Sequence, residues 1–120
     1  MINMNILPSE KERQWAMACH LSAFFGLIIL PLGAILGPLC IWMLKKKHHP
    51  FINNSGKEAL NFQISMMLWF LLSLALIRFG VGIFLIITIE VLNIIFIIMA
   101  TFSAAKGRDF HYPLSIRIIR

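Results

Sequence analysis

Residues 83–105 form the sequence IFLIITIEVLNIIFIIMATFSAA, in which Glu90 is the only charged residue. As an α-helix this stretch would be about 35 Å long, enough to cross a hydrocarbon core of roughly 30 Å. It has no polar face to turn toward water, which a helix of a small soluble domain needs. The stretch therefore predicts a transmembrane helix.

Two further stretches have the same character, since Gln14 to Leu44 and Ala59 to Ile77 contain no Asp, Glu, Lys or Arg. Over all 120 residues, hydrophobic residues make up 59% and charged residues 13%, against roughly 45–50% and about 25% in soluble domains. We therefore expect one all-α integral membrane domain, a bundle of three to four transmembrane helices.

The first apolar stretch is too long for a single crossing, because Trp15 to Leu44 would make a helix of about 45 Å. Pro31 and Pro38 each remove a backbone donor, so we expect the stretch to be broken between these two residues. Two shorter helices, over about 15–30 and 33–44, would then form a hairpin or a re-entrant pair. One long helix with a kink is the alternative.

The polar residues set the other boundaries. Ser9 and Glu12 form the pattern of a capping box, which predicts that the first helix begins near Glu10. Further helices are predicted over 57–77 and 83–105, after a polar loop and a glycine-containing turn, respectively. The chain is thus divided into a polar N-terminal leader (1–14), a transmembrane helical domain (15–106) and a basic C-terminal tail (107–120).

The net charge is +6 and the isoelectric point is near 9.9. In a soluble chain this basicity would indicate nucleic-acid binding, but here the basic residues lie at the ends of apolar stretches, where side chains meet anionic lipid headgroups. We therefore predict a bilayer with anionic headgroups as the partner, and no nucleic acid. The residues assigned to headgroup contact are Lys45, Lys46, Lys47, Lys106 and Arg108.

The distribution of Lys and Arg also predicts a topology. The 45–57 loop and the tail after Ala105 carry four each, and Arg78 lies alone between the last two helices. A hairpin in the first stretch adds Lys11 and Arg13 to the basic side, whereas a single crossing does not. Both arrangements predict that the 45–57 loop and the C-terminus are cytoplasmic, and the hairpin favours a cytoplasmic N-terminus.

Glu90 is the one acidic residue deep inside an apolar stretch, and Asn93 lies on the same helix face at i+3. An intramembrane carboxyl group is costly and indicates a candidate functional site, such as part of a transport or proton path. Polar residues of this kind also form ordinary packing contacts between membrane helices. We retain both interpretations and favour packing.

A second set of polar residues is predicted at a similar depth near the inner surface. Glu58, Asn61 and Ser65 share one face of the 57–77 helix, with Gln63 alongside, and His20 lies in the first helix. We expect a hydrogen-bonded cluster or a shallow polar vestibule, with His20 close to Asn61 or Gln63. The alternative is that these side chains simply extend into interfacial water.

The sequence contains no nucleophile elbow, phosphate-binding loop or paired carboxylates, and the five acidic residues are scattered. The adjacent His48 and His49 have poor geometry for a metal site and no thiol or acidic partner nearby. We therefore expect no enzymatic activity, no metal and no cofactor.

Four ordered motifs resemble a bacterial family of small membrane proteins of unknown function. They are Trp15–Ser22 (WAMACHLS), Gly37–Trp42 (GPLCIW), Gly56–Ser65 (GKEALNFQIS) and Tyr112–Arg117 (YPLSIR). The family includes the magnetosome proteins MamF and MmsF and is distantly similar to the channel subunit of the chloroplast inner-envelope translocon. The resemblance implies a bundle of three or four transmembrane helices in a bacterial inner membrane but no defined activity. The acidic stretches expected of a mineral-templating protein are absent.

The leading functional hypothesis is a non-enzymatic scaffold or interaction subunit that packs with itself or with other membrane proteins. The alternative is a component of a transporter, a channel or a protein-translocation-like assembly, with the broken first stretch and Glu90 along the path.

Overall fold

A computed structural model of the protein describes residues 8–27, 32–113 and 115–119, and these residues form an elongated helical bundle of 54 × 23 × 22 Å. Its elements are α1 (Glu10–Leu21), a 3-10 helix (Ser22–Leu27), α2 (Leu32–Lys45), α3 (Pro50–Ala75), a second 3-10 helix (Ile77–Phe79) and α4 (Val81–Ala105).

The capping box at the start of α1 is confirmed. The Ser9 hydroxyl accepts the Glu12 N–H at 3.2 Å, and the Glu12 carboxylate accepts the Ser9 N–H at 2.7 Å. The second bond lowers the pKa of Glu12, because it stabilises the charged carboxylate. The first helix therefore starts at Glu10, in the predicted leader.

The first apolar stretch forms a hairpin. The Lys45 ammonium of α2 lies 4.4 Å from the ring centroid of Trp15 in α1, and Gly37 of α2 packs directly on the backbone of Ser22. These contacts show that α2 runs back along α1, so one long kinked helix across the stretch is excluded.

The position of the break differs from the prediction. α1 ends at Leu21, earlier than the predicted 15–30, and Pro31 lies outside the described residues. Pro38 does not break the chain, because α2 continues through it. Proline weakens an isolated helix, but here Gly37 and Pro38 are both buried, so packing against the first half of the hairpin holds the helix together.

α3 begins at Pro50, seven residues before the predicted start at Lys57. Pro50 occupies a first-turn position where its missing N–H is harmless, and the His49 side chain accepts the Phe51 N–H at 3.0 Å. Asn53 to Gly56 are therefore helical, and the predicted 45–57 loop shrinks to residues 46–49. The polar loop was wrong because contacts with α2 outweigh the weak helix propensity of these residues.

The predicted turn between the last two helices is confirmed. Gly80 adopts φ +80°, a left-handed conformation that favours glycine, and α4 starts at the next residue. α3 and α4 are long and apolar enough to cross a membrane, whereas α2 is a shorter apolar helix of 14 residues. Of the three to four spans predicted, the structure thus supports two by length and composition.

Three segments meet at one end of the bundle, which we call the basic end: residues 8–12, the loop 46–49 and residues 106–111. Glu12 lies 3.8 Å from His49, and Gly107 lies beside Pro8. Arg78 lies in the turn between α3 and α4, which we call the hairpin tip. The basic end and Arg78 therefore lie at opposite ends of α3 and α4, and the sidedness of these ends in a membrane stays a prediction.

Candidate functional site

The C-terminal segment, residues 108–113 and 115–119, lies against the polar face of α3. This face carries Glu58, Asn61 and Ser65, which the spacing i, i+3, i+7 places on one side of the helix. Each of the three binds the C-terminal segment by side-chain hydrogen bonds. The polar side chains of this face therefore bind the C-terminal segment of the same chain.

Glu58 makes the strongest of these contacts. One carboxylate oxygen accepts a bond of 2.9 Å from the Arg117 guanidinium and one of 3.3 Å from the Tyr112 N–H. The other oxygen lies 3.0 Å from the His111 ring nitrogen. Because 13% of the Glu58 side chain is exposed, this ion pair is only partly screened by water and is stronger than a surface pair.

Asn61 and Ser65 bind backbone groups of the same segment. The Asn61 side-chain oxygen accepts the N–H groups of Ile118 and Ile119 at 3.1 and 2.7 Å, and its amide donates to the Ile119 carbonyl at 2.9 Å. The Ser65 hydroxyl accepts the Ile116 N–H at 2.7 Å and donates to the Asn61 carbonyl at 2.8 Å. Side chains of α3 thus satisfy an irregular segment that lacks a strand partner.

His20 is buried, and its ring nitrogen lies 2.7 Å from the Tyr112 hydroxyl. Tyr112 is itself buried and stacks on Phe62, with ring centroids 4.2 Å apart. Burial raises the pKa of Tyr112 well above its ordinary value, and the nearby Glu58 charge adds to this, so the hydroxyl keeps its proton. The expected bond from His20 to Asn61 or Gln63 is therefore replaced by one to Tyr112.

Gln63 lies on another part of α3 and pairs with Asn93 of α4. The two amides exchange bonds of 2.8 and 3.3 Å, and both side chains are buried. Such a reciprocal amide pair satisfies two polar groups in an apolar interface, which agrees with the packing interpretation of Asn93. Glu90, one turn earlier in α4, is half-buried and is not part of this pair.

The five basic residues predicted to contact headgroups lie in or directly beside the basic end. Lys45 and Lys46 cover the rings of Trp15 and Trp42, at 4.4 and 4.3 Å from the ring centroids. The other three, Lys47, Lys106 and Arg108, are exposed. Cation–π contacts of this kind fix the direction of a long side chain while its charge stays near water.

A cavity of about 720 Å³ opens between α3 and the C-terminal segment. Its lining includes Lys57, Glu58, Asp109, His111 and Arg117. Among the residues that the structure describes, no group of three His, Cys, Asp or Glu side chains is arranged to hold a metal ion. Chemically, the cavity offers a mixed-charge surface on which Glu58 and Arg117 are paired with each other.

The fold and this site define a small all-helical protein with two helices that are long and apolar enough to cross a membrane. The family model MamF_MmsF, described as the magnetosome magnetite crystal formation protein family, matches residues 11–119, and the chain belongs to this family. No curated protein and no solved structure matches the chain. The likeness to the chloroplast translocon subunit stays a prediction.

Tyr112 and Arg117 belong to the site but were not predicted from the sequence. Both lie in the predicted basic tail, where neither hydrophobic periodicity nor charge pattern indicates a contact with α3. The available signal was the motif Tyr112–Arg117, one of the four that carry the family resemblance. The structure now explains that motif, since it supplies partners for His20 and Glu58 in two of the other motifs.

Proposed function

We propose that this chain is a non-enzymatic scaffold or interaction subunit of the magnetosome membrane. The observation that carries the proposal is the use of the polar residues. Glu58, Asn61 and Ser65 bind the C-terminal segment, and Gln63 binds Asn93. A catalytic or transport site needs polar groups that are open to a substrate, whereas these groups stabilise the bundle itself.

The apolar surface supports a position within the bilayer. The second half of α3 and the first half of α4 expose large side chains, with Leu72 50% and Phe84 71% exposed. Soluble monomers rarely carry continuous apolar surfaces of this size, whereas lipid or another membrane helix covers them. In this proposal α3 and α4, about 39 and 38 Å long, cross the membrane.

The family's description connects its members with magnetite crystal formation. The basic end of this chain carries Lys45, Lys46 and Lys47 beside exposed Lys106 and Arg108, a surface that repels metal cations. We therefore infer that the chain supports crystal formation through the membrane and its partners, and not by templating mineral on acidic side chains.

Cysteine labelling tests the proposed arrangement in the membrane. The variants Lys47→Cys, Asp109→Cys and Phe79→Cys are made on a Cys40→Ser background, with buried Cys19 retained. In sealed membrane vesicles of one orientation, positions 47 and 109 should react together with an impermeant thiol reagent. Position 79, at the hairpin tip, should then react only when the vesicles have the opposite orientation or are opened.

Permeabilised vesicles are the control, because all three exposed positions should then be labelled. Equal labelling of positions 47 and 79 in sealed vesicles would contradict the proposal that α3 and α4 each cross once. Labelling of position 47 without labelling of position 109 in sealed vesicles would also contradict the proposal.

A transporter or channel component is the second candidate, and Glu90 is the observation that favours it, since this carboxyl group is half-buried in the middle of α4. We expect the purified chain in sealed liposomes to give proton and cation flux no higher than in protein-free liposomes. Flux that is abolished by Glu90→Gln but kept by Glu10→Gln, which changes an exposed acid in α1, would favour the transporter over the scaffold.

A further inference from the structure

A second cavity, of about 410 Å³, lies at the basic end beside the one described above. We call it the lysine cleft, and it is formed where the end of α2, the first turns of α3 and the end of the C-terminal segment meet. Its lining residues are Trp42, Lys46, Lys47, Asn53, Lys57 and Ile119.

The described residues that line the lysine cleft carry only positive charge. Three of them are lysines, Lys46, Lys47 and Lys57, and none of the described lining residues is acidic. Glu58 follows Lys57 in α3, but its carboxylate binds Arg117, His111 and the Tyr112 N–H on the side of the C-terminal segment. Glu58 therefore does not neutralise the positive charge of the cleft.

Two contacts hold the walls of the cleft in place. The Lys46 ammonium lies 4.3 Å from the ring centroid of Trp42, which directs that lysine along the wall. The Trp42 indole N–H donates to the Asn53 side-chain oxygen at 2.8 Å. Asn53 also lines the cleft, and its side-chain NH₂ group is a hydrogen-bond donor.

We propose that the lysine cleft is a binding site for a phosphate group, supplied by the headgroup of an anionic phospholipid. Three ammonium groups and an amide donor suit an oxyanion with several acceptor oxygens. The source follows from the position of the cleft at the end of α2 and the start of α3, since basic pockets between membrane helices take lipid phosphates. The orientation of the bound lipid in the bilayer rests on the proposed function, whereas the binding of its phosphate group to the cleft does not.

Native mass spectrometry of the purified full-length chain in a neutral detergent tests the proposal. Phosphatidylglycerol should be retained at one molecule per chain with saturable binding, and phosphatidylcholine, whose headgroup carries no net charge, should bind at least about tenfold more weakly. The double variant Lys47→Gln/Lys57→Gln should weaken the binding of phosphatidylglycerol by about tenfold or more.

The matched control is Lys11→Gln/Lys106→Gln, which removes two positive charges from the same end of the bundle but none from the cleft. It should change the affinity less than about threefold, and an equal loss in both double variants would overturn the site in favour of general surface attraction. The unfolding of each variant in detergent is measured by the exposure of buried Cys19. Unfolding at the same detergent concentration as the unsubstituted protein shows that a lost affinity does not come from a lost fold.

Inorganic phosphate separates the two sources of the ligand. If phosphate alone displaces phosphatidylglycerol and binds with the same dependence on Lys47 and Lys57, the cleft takes a free phosphate as well. Absence of saturable binding for both probes would overturn the proposal. Because these measurements are made in detergent, they fail or succeed independently of the membrane topology and of the flux result.

Discussion

Replacing Glu58 with Gln should lower the free energy of unfolding by about 2–3 kcal/mol. The substitution removes the charge that pairs with Arg117 and weakens the contacts to His111 and the Tyr112 N–H. Breaking a buried ion pair costs roughly 3–5 kcal/mol. Since 38% of the Arg117 side chain is exposed, water screens part of the loss, and the expected value is below that range.

The measurement is an unfolding titration with sodium dodecyl sulfate in a mild detergent. Cys19 is fully buried and Cys40 is exposed, so on a Cys40→Ser background the reaction of Cys19 with a thiol reagent reports unfolding of α1. The matched control is Glu10→Gln, which removes an exposed acid from the same chain. A loss for Glu58→Gln within about 0.5 kcal/mol of the control would show that the C-terminal segment does not depend on the acid.

The double variant Glu58→Gln/Arg117→Gln separates the ion pair from the backbone contact. If the ion pair accounts for most of the lost stability, adding Arg117→Gln should lower the free energy of unfolding little further, because Arg117 has already lost its partner charge. Additive losses would indicate instead that each residue stabilises the protein through separate neighbours, such as the Tyr112 N–H on Glu58 and the Tyr112 carbonyl on Arg117.

The apolar helices could be predicted from the sequence because their signal is local. The last helix was predicted over 83–105 and is observed over Val81–Ala105, since a continuous apolar stretch ends at Lys106 and Gly107. The start of α3 was not predictable in the same way. Asn53 to Gly56 have weak helix propensity, and they are helical because α2 packs on them through Trp42.

The candidate site was predicted in part for the same reason. Helical spacing alone predicted that Glu58, Asn61 and Ser65 share one face, and in the structure all three bind the C-terminal segment. Their partners are more than 50 positions away in an irregular segment, and no periodicity connects such residues. The pairing of Gln63 with Asn93 was missed likewise, because it depends on the relative rotation of α3 and α4, which neither helix specifies alone.

Gly37→Ala should also destabilise the protein by about 2–3 kcal/mol, against the trend for this substitution. In an exposed helix, alanine in place of glycine stabilises by about 1 kcal/mol. In α2, however, an added Cβ would overlap the carbonyl oxygen and carbon of Ser22. These are backbone atoms of the first half of the hairpin, so they cannot move aside as a flexible side chain does, and overpacking costs of this kind are typically 1–3 kcal/mol.

Gly56→Ala is the matched comparison, because it adds the same methyl group to a different helix contact. There the new Cβ would overlap Cβ, Cγ and Cδ1 of Trp42. Rotation of the indole would break its hydrogen bond to Asn53 and its contact with Lys46, and it would leave Trp42 Cβ in place, so we expect a loss of about 1–3 kcal/mol here as well. The same Cys19 titration measures both variants, and both should expose Cys19 at a lower detergent concentration than the unsubstituted protein. If Gly37→Ala instead stabilised the protein as helix propensity alone predicts, α2 would not pack against Ser22, and the hairpin that forms the first half of the bundle would be wrong.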